Sequence, residues 1–299
     1  MILGLGIAAG LGTAISWSLA SIFNSASSRH VGVFHFIMMR QPLASLILGI
    51  ACLFSGELVL YPAGSLGVAA LSGLIGLILC DLCLYSSILL IGIRPALVCH
   101  SLYSCCTALF GTIFLHEYLG LQGICGLIIA TLGVMAVIIC EQRDVHAVHV
   151  PPHKRNIGVM LALLSAVLMA VGLVLSKEAI RQGLPPLPLS FMRNATACII
   201  IWCAALALGH IRSAWTALKT HPQVWKLLPL GCITGPAGGI WLSSVALENL
   251  PAAVASTLIG LQPIALLVAT GILERRCPVR GSILGSCAAC AGAALLLLR

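Results

Sequence analysis

Ten runs of about 20 mostly apolar residues divide this chain, at about 2–23, 34–55, 66–91, 95–115, 121–140, 157–176, 187–209, 227–247, 251–272 and 281–298. Each is long enough to cross the hydrocarbon core of a bilayer as a helix. The backbone must satisfy its own hydrogen bonds in lipid, and no run shows the alternating ten-residue pattern of a barrel strand, so all ten read as helices. The balance of residues leaves no soluble alternative. The chain is 60% hydrophobic and 8% charged, with a mean hydropathy of +1.10, whereas soluble domains carry about 25% charged residues. The lipid bilayer is therefore the solvent. The apolar run opening at Ile2 has no basic stretch before it, which points to a first spanning helix rather than a cleaved signal peptide.

The ten segments form two sets of five. One long polar stretch, Glu141 to Asn156 (EQRDVHAVHVPPHKRN), separates them. Residues 1–141 make a first repeat, 142–156 a linker and 157–299 a second repeat. Two internal matches show the duplication. Leu84 to Glu117 reads LYSSILLIGIRPALVCHSLYSCCTALFGTIFLHE, and Trp241 to Glu274, 157 residues on, reads WLSSVALENLPAAVASTLIGLQPIALLVATGILE. Both copies hold a Ser-Ser pair (Ser86-Ser87, Ser243-Ser244), a short break, a run of about 20 mostly apolar residues and a closing glutamate. Met39-Arg40 and Met192-Arg193, 153 residues apart, supply the second match. Five is odd, so the second copy enters the membrane from the opposite side. The expected architecture is all-α, with ten transmembrane helices in two inverted five-helix repeats about an axis in the membrane plane. Repeats of this kind build transporters, with the substrate site near the midplane between the halves.

Several function classes drop out. Sixteen Lys and Arg against eight Asp and Glu is the ordinary bias of membrane loops. The basic residues are scattered, so no nucleic-acid partner is expected. Most of the fourteen cysteines lie inside apolar segments and act there as small apolar side chains. Cys80-x-x-Cys83 and Cys287-x-x-Cys290 lack a loop-borne partner pair. The spacing His146-x-x-His149-x-x-x-His153 could catch a soft metal, but histidines in a Pro-containing basic loop are more often solvated. No phosphate loop, nucleophile elbow or His-Glu-x-x-His helix occurs, so neither ATP hydrolysis nor a cofactor is expected.

Polar residues within the spans are the candidates for function, because lipid penalises an unpaired one by several kcal/mol. His100, Tyr103, Ser104, Thr107 and Gly111 share one helical face of segment four, which suits the space between the halves; the alternative is hydroxyls bonded back to their own helix. Thr13, Trp17, Ala20 and Asn24 share a face of segment one and could form another wall. Trp241, opening the second hairpin, joins the candidates. Arg40 and Arg193 each lie about seven residues, roughly 10 Å, inside their helices. The repeat places them at opposite membrane faces, where they either hold a substrate carboxylate or phosphate near each gate or snorkel to headgroups. Asp81, the one acidic residue well inside a span, has Tyr85 one turn on and Gly238 at its repeat position. Isolated in low dielectric it would take up a proton and couple substrate movement to it; paired permanently with Arg40 it would not. A cavity walled by segments one, three, four, six, eight and nine is expected.

Small residues recur every four positions as Gly281, Gly285, Ala289 and Ala293 in segment ten and as Gly231, Gly235 and Gly239 in segment eight. Such stripes let helix backbones approach closely. They serve packing within the chain or, through segment ten, a homodimer.

The order of these features resembles the EamA-type ten-helix permeases of the drug/metabolite transporter superfamily, from Gly4 to Leu298. The residues that carry the likeness are Trp17, Arg40, Arg193, Ala246-Leu247 before Pro251-Ala252-Ala253, Pro263, and Glu117 and Glu274 closing segments four and nine. The family usually shows Gly-Glu at those closings, where this chain has His116-Glu117 and Leu273-Glu274, and Cys106 stands in place of a proline in segment four. The resemblance implies a secondary transporter in the cell (inner) membrane, exporting or exchanging small metabolites or drug-like molecules without ATP. An intramembrane enzyme using Asp81 and His100, and a non-transporting structural subunit, are the competing readings. Orientation divides the expectations. The loops 1–2, 3–4, 5–6, 7–8 and 9–10 hold eleven basic residues against three on the other side, which by the positive-inside rule places both termini outside the cytoplasm. Family members usually have both inside.

Overall fold

The computed structural model describes residues 2–57, 59–142, 151–274 and 280–297. They are almost wholly helical, with no strand among them. Spans one and two are the continuous helices α1 (Ile2–Val31) and α2 (Val33–Ser55). Span three is α3 (Ala63–Gly73), a π-helical turn at Leu74–Leu79 and α4 (Cys80–Ile91). Span four is α5 (Ile93–Ser101) and α6 (Tyr103–Phe114), and span five is α7 (Leu121–Gln142). The second half opens with α8 (Pro152–Arg181) and α9 (Pro186–Ala207), which are spans six and seven. A short amphipathic helix, α10 (Ile211–Thr220), lies outside the ten segments. Span eight is α11 (Val224–Cys232), a second π turn at Ile233–Ala237 and α12 (Gly238–Asn249); α13 (Ala252–Ile259) and α14 (Gln262–Glu274) form span nine, and α15 (Arg280–Leu297) span ten. Among the described residues eight spans are long and apolar enough to cross a membrane, and Leu121–Ala136 and Ile283–Leu295 are shorter apolar stretches within α7 and α15.

Local chemistry sets the ends. After α8, Gly183 takes φ +90°, its N–H donates to Ile180 O, and Leu184 N–H donates to Ala179 O. This capping pattern satisfies terminal carbonyls, and Pro185-Pro186 then starts α9 where missing N–H groups cost nothing. The two π turns occupy corresponding places in the repeats. In each, an N–H reaches five residues back, Cys80 to Ile75 O and Gly238 to Ile233 O. Pro236 sits in the second, and a ring that cannot donate and that crowds the preceding turn favours such widening.

The packing shows how the halves are related. Trp202 Nε1 of span seven donates to Met38 O of span two at 3.0 Å, while Gly49, eleven residues further along span two, lies against Phe191, eleven residues earlier in span seven. The two helices are therefore antiparallel. Span four meets span nine in the same sense: Ser104 Oγ donates to Ser256 O at 2.9 Å, and Gly111 faces Ala252. So do spans five and ten, where a Cβ on Gly133 would overlap Ala289 N and one on Gly292 would overlap Ala130 N. Span one lies on span eight through Asn24, Ala20 and Trp17 against Gly231, Gly235 and Gly239. Span six lies on span three the same way, with Ser72 Oγ donating to Gly172 O at 2.9 Å and Ser87 Oγ to Gly158 O at 2.7 Å. An axis in the membrane plane brings equivalent helices together antiparallel; an axis along the normal would leave them parallel. The repeats are inverted.

Both small-residue stripes are used within the chain. Gly285 and Ala289 seat Gly133 of span five, so a homodimer through span ten would have to use its other face. Large apolar side chains such as Leu46, Leu53, Phe54 and Leu132 remain exposed on the outside, where lipid tails cover them.

Candidate functional site

The structure brings candidates from both repeats to one cavity of about 80 Å³. Span one supplies Trp17, Ser21 and Asn24, span two Arg40, and span three Asp81, Tyr85 and the π-turn residues Gly76 and Leu77. His100 enters from span four, Met169 from span six, Arg193 from span seven, Gly235 and Pro236 from the second π turn, and Gln262 from span nine. The expected walls are present, and spans two and seven join them.

The arginines require a correction. Arg40 and Arg193 do not stand at opposite faces; both turn inward to the same cavity, 3% and 1% exposed. The long side chains have nothing to snorkel to from there, because each is enclosed by its neighbours. Arg40 forms an ion pair with Asp81 through Nη2 and Oδ2. Its guanidinium carbon also lies 5.1 Å from the centroid of Phe36 and 5.8 Å from that of Tyr85, within cation–π range. The Tyr85 ring is held edge-on to Phe36, 5.1 Å between centroids, and its hydroxyl accepts from Asn24 Nδ2 at 3.0 Å. One continuous polar cluster thus joins spans one, two and three.

Arg193 is placed by glycines. A Cβ on Gly73 would strike the Arg193 carbonyl, and one on Gly76 would lie 3.1 Å from its Nη2 and 3.2 Å from Gly172 Cα. A Cβ on Gly172 would in turn lie 2.8 Å from Gly76 Cα. Gly76 thus leaves room for the guanidinium, while Gly73 and Gly172 let the backbones of spans seven and six come close to span three. Among the described residues its Nε has no hydrogen-bond partner, and no carboxylate forms an ion pair with it.

Span four does not present a single polar face, because the helix is interrupted at Leu102 between α5 and α6. His100 lines the cavity and its Nδ1 bonds Ser165 Oγ at 2.8 Å. Tyr103, 2% exposed, packs on the His100 ring with centroids 5.2 Å apart. Ser104 is spent on span nine, and Thr107 Oγ1 donates back to Tyr103 O at 2.7 Å. These three lie behind the cavity wall. Trp241 lies elsewhere, 42% exposed, in a surface groove with Glu57, Pro186 and Glu248. The two residues of the enzyme reading share the cavity, but Asp81 is engaged by Arg40 and His100 by Ser165. Of the linker histidines, His146 and His149 lie outside the described residues.

Gln262 was not singled out in the sequence, nor was Ser21. Gln262 Nε2 donates to Trp17 O at 3.2 Å and to Ser21 Oγ at 3.3 Å, tying span nine to span one at the cavity. The available signal was its place just after Gly260-Leu261, where span nine is interrupted as span four is at Leu102. Breaks of this kind free backbone groups and mark binding regions in transporters.

At one end of the molecule the halves are tied together. Glu117 Oε2 accepts from Ala252 N–H at 2.7 Å, capping α13, and Arg181 donates to Leu115 O at 2.7 Å and pairs with Glu117 at 3.3 Å. Lys177 donates to Leu250 O at 2.9 Å and to Leu247 O, satisfying carbonyls at the end of α12. Glu117 lies in the short loop between α6 and α7, where it serves the start of α13 and not the cavity.

The model of the EamA-like transporter family matches residues 4–139 and 156–298. The chain belongs to the EamA-like transporter family. It is a multi-pass integral membrane protein, and the two matched stretches coincide with the two five-helix repeats. A solved structure titled "Crystal structure of protein" resembles it with a TM-score of 0.73 at 19% identity, over 99% of this chain and 96% of that one. At that identity the likeness concerns the fold. No curated protein matches the chain.

Proposed function

We propose that this EamA-like protein is a secondary transporter, an exporter or exchanger of small metabolites or drug-like molecules, working by alternating access around the cavity between its halves. The observation that carries the reading is the cavity itself. It is lined from both inverted repeats and holds Arg40 and Arg193 buried, with Asp81 18% exposed beside Arg40. Buried charges in a membrane interior are costly and are rarely kept without a use. A purely structural subunit would have no need of them. Rocking of one repeat against the other would exchange the ties at Glu117, Arg181 and Ala252 for an opening at that end.

Proton coupling at Asp81 belongs to the same proposal, in the state of the cycle where Arg40 releases it. The ion pair supports a structural role for Asp81 in the state described here. Asp81→Asn separates the two: loss of accumulation driven by a pH gradient with exchange retained supports coupling, and an unchanged response to the gradient leaves Asp81 a structural partner.

Reconstitution into sealed proteoliposomes tests the reading. Counterflow of radiolabelled amino acids, nucleosides, organic anions and cationic dyes is compared with empty vesicles. Saturable, cavity-dependent uptake of at least one class is expected, and abolition of that uptake by Arg40→Gln ties it to the cavity. Folded protein that moves none of the classes would overturn it.

A further inference from the structure

Counting charge in the cavity leaves one cation over. Arg40 and Arg193 both face it, and among the described residues Asp81 is the one carboxylate that does. Asp81 forms its ion pair with Arg40 and only attracts Arg193 at longer range; the Nε of both buried arginines lacks a partner among the described residues, but Arg193 has no ion pair there. The acids elsewhere whose side chains are described are committed or distant: Glu117 caps α13, Glu178 accepts from Gln182 at an exposed site, and Glu57 and Glu248 lie at the surface groove. Arginine does not shed its proton in proteins, and an uncompensated cation in low dielectric costs several kcal/mol. The remaining cavity surface is largely apolar, with Trp17, Leu77, Leu84, Ile88 and Met169 around the charges.

We propose that the cavity binds a small organic monoanion, a carboxylate or phosphate ester with an apolar body, and that the Arg193 guanidinium receives its anionic group. The proposal rests on the transporter reading for its physiological meaning but not for its test. The planar fork of arginine donates two parallel hydrogen bonds to a carboxylate or phosphate, and Gly76 leaves the room that its Nη2 occupies at the cavity wall. A zwitterion of the same shape brings an additional ammonium into a site where Asp81 is already taken, so it binds more weakly. A cation meets two guanidinium groups and is excluded.

The test uses full-length protein purified in detergent and four probes with one body: benzoate, phenyl phosphate, phenylalanine and benzylamine. Ligand-dependent thermal unfolding and isothermal titration read binding directly. Benzoate or phenyl phosphate is expected to raise the unfolding temperature, and whichever is stronger identifies the anionic group preferred. Phenylalanine should bind at least tenfold more weakly, and benzylamine should not bind. Arg193→Gln should lower anion affinity at least tenfold and Arg193→Lys by less. If the glutamine variant does not fold, the rank order on the wild type decides. Binding of benzylamine or phenylalanine in preference to both anions overturns the proposal, as does anion binding unchanged in folded Arg193→Gln. The same probes in proteoliposomes separate the two claims. Anions that bind but do not cross overturn transport and keep the site; transport of neutral or cationic compounds with no anion binding keeps transport and removes the site.

Discussion

His116 stands where related permeases usually place glycine, and it is the one described non-glycine residue with positive φ, +52°. A side chain in the left-handed region costs on the order of 1 kcal/mol or more, so the glycine preference has a backbone cause. His116→Gly is expected to stabilise the protein by about 1 kcal/mol, read as a higher unfolding temperature in detergent; a lower one would show that the imidazole contributes more than the strain costs. Arg40 and Asp81 make the opposite kind of case. Removing one member of a buried pair leaves the other uncompensated, so Asp81→Asn should cost about 3–5 kcal/mol. Adding Arg40→Gln should recover most of that loss, because no lone charge remains. A double variant less stable than Asp81→Asn alone would mean that Arg40 is held mainly by Phe36 and Tyr85.

Helices in lipid gain nothing from burying apolar surface against one another, so close backbone contact and shape decide which pairs form. Spans five and ten show this in Gly133 against Ala289 and Gly292 against Ala130. Gly133→Leu and Gly292→Leu should each lower stability by at least 1–3 kcal/mol, the usual penalty of overpacking. Gly67→Leu is the control: a Cβ there meets nothing within 4 Å, and leucine is the better helix former. Equal effects of all three in thermal unfolding would show that the five–ten contact does not limit stability. The π turns act at the same level. By widening one turn in spans three and eight they bring Gly76, Leu77, Gly235 and Pro236 to the cavity wall, and such turns often accompany functional sites.

Orientation belongs to the whole molecule, since no single span determines it. The loop charges, eleven basic residues against three, predict by the positive-inside rule that both termini face away from the cytoplasm. The α10 helix lies on the basic side, with Trp215 55% exposed and Lys219 Nζ 5.4 Å from its ring centroid. Aromatic and basic residues paired in this way suit a membrane interface. A C-terminal fusion to a reporter active only in the cytoplasm should therefore be inactive; strong activity would reverse the assignment and agree with the orientation usual in the family.

The ten helices, their division into five and five and their inversion were legible in the sequence, because span length, the repeat and an odd count each follow from counting along one dimension. The hairpin match from Leu84 and Trp241 carried most of that information. The site was legible in part: Trp17, Asn24, Arg40, Asp81, Tyr85, His100 and Arg193 were identifiable as polar or aromatic residues out of place in lipid, and all seven line the cavity. That Arg40 and Arg193 meet there could not be read from the chain, since repeat symmetry alone assigns them opposite faces. Tertiary packing decided it, by placing Gly76 against the Arg193 guanidinium and by turning spans three and eight through a π turn. The break at Leu102 likewise sent Ser104 and Thr107 away from the cavity, and Trp241 went to an outer groove. Helical period predicts which residues share a face only while the helix is regular, and this protein interrupts its helices around the cavity.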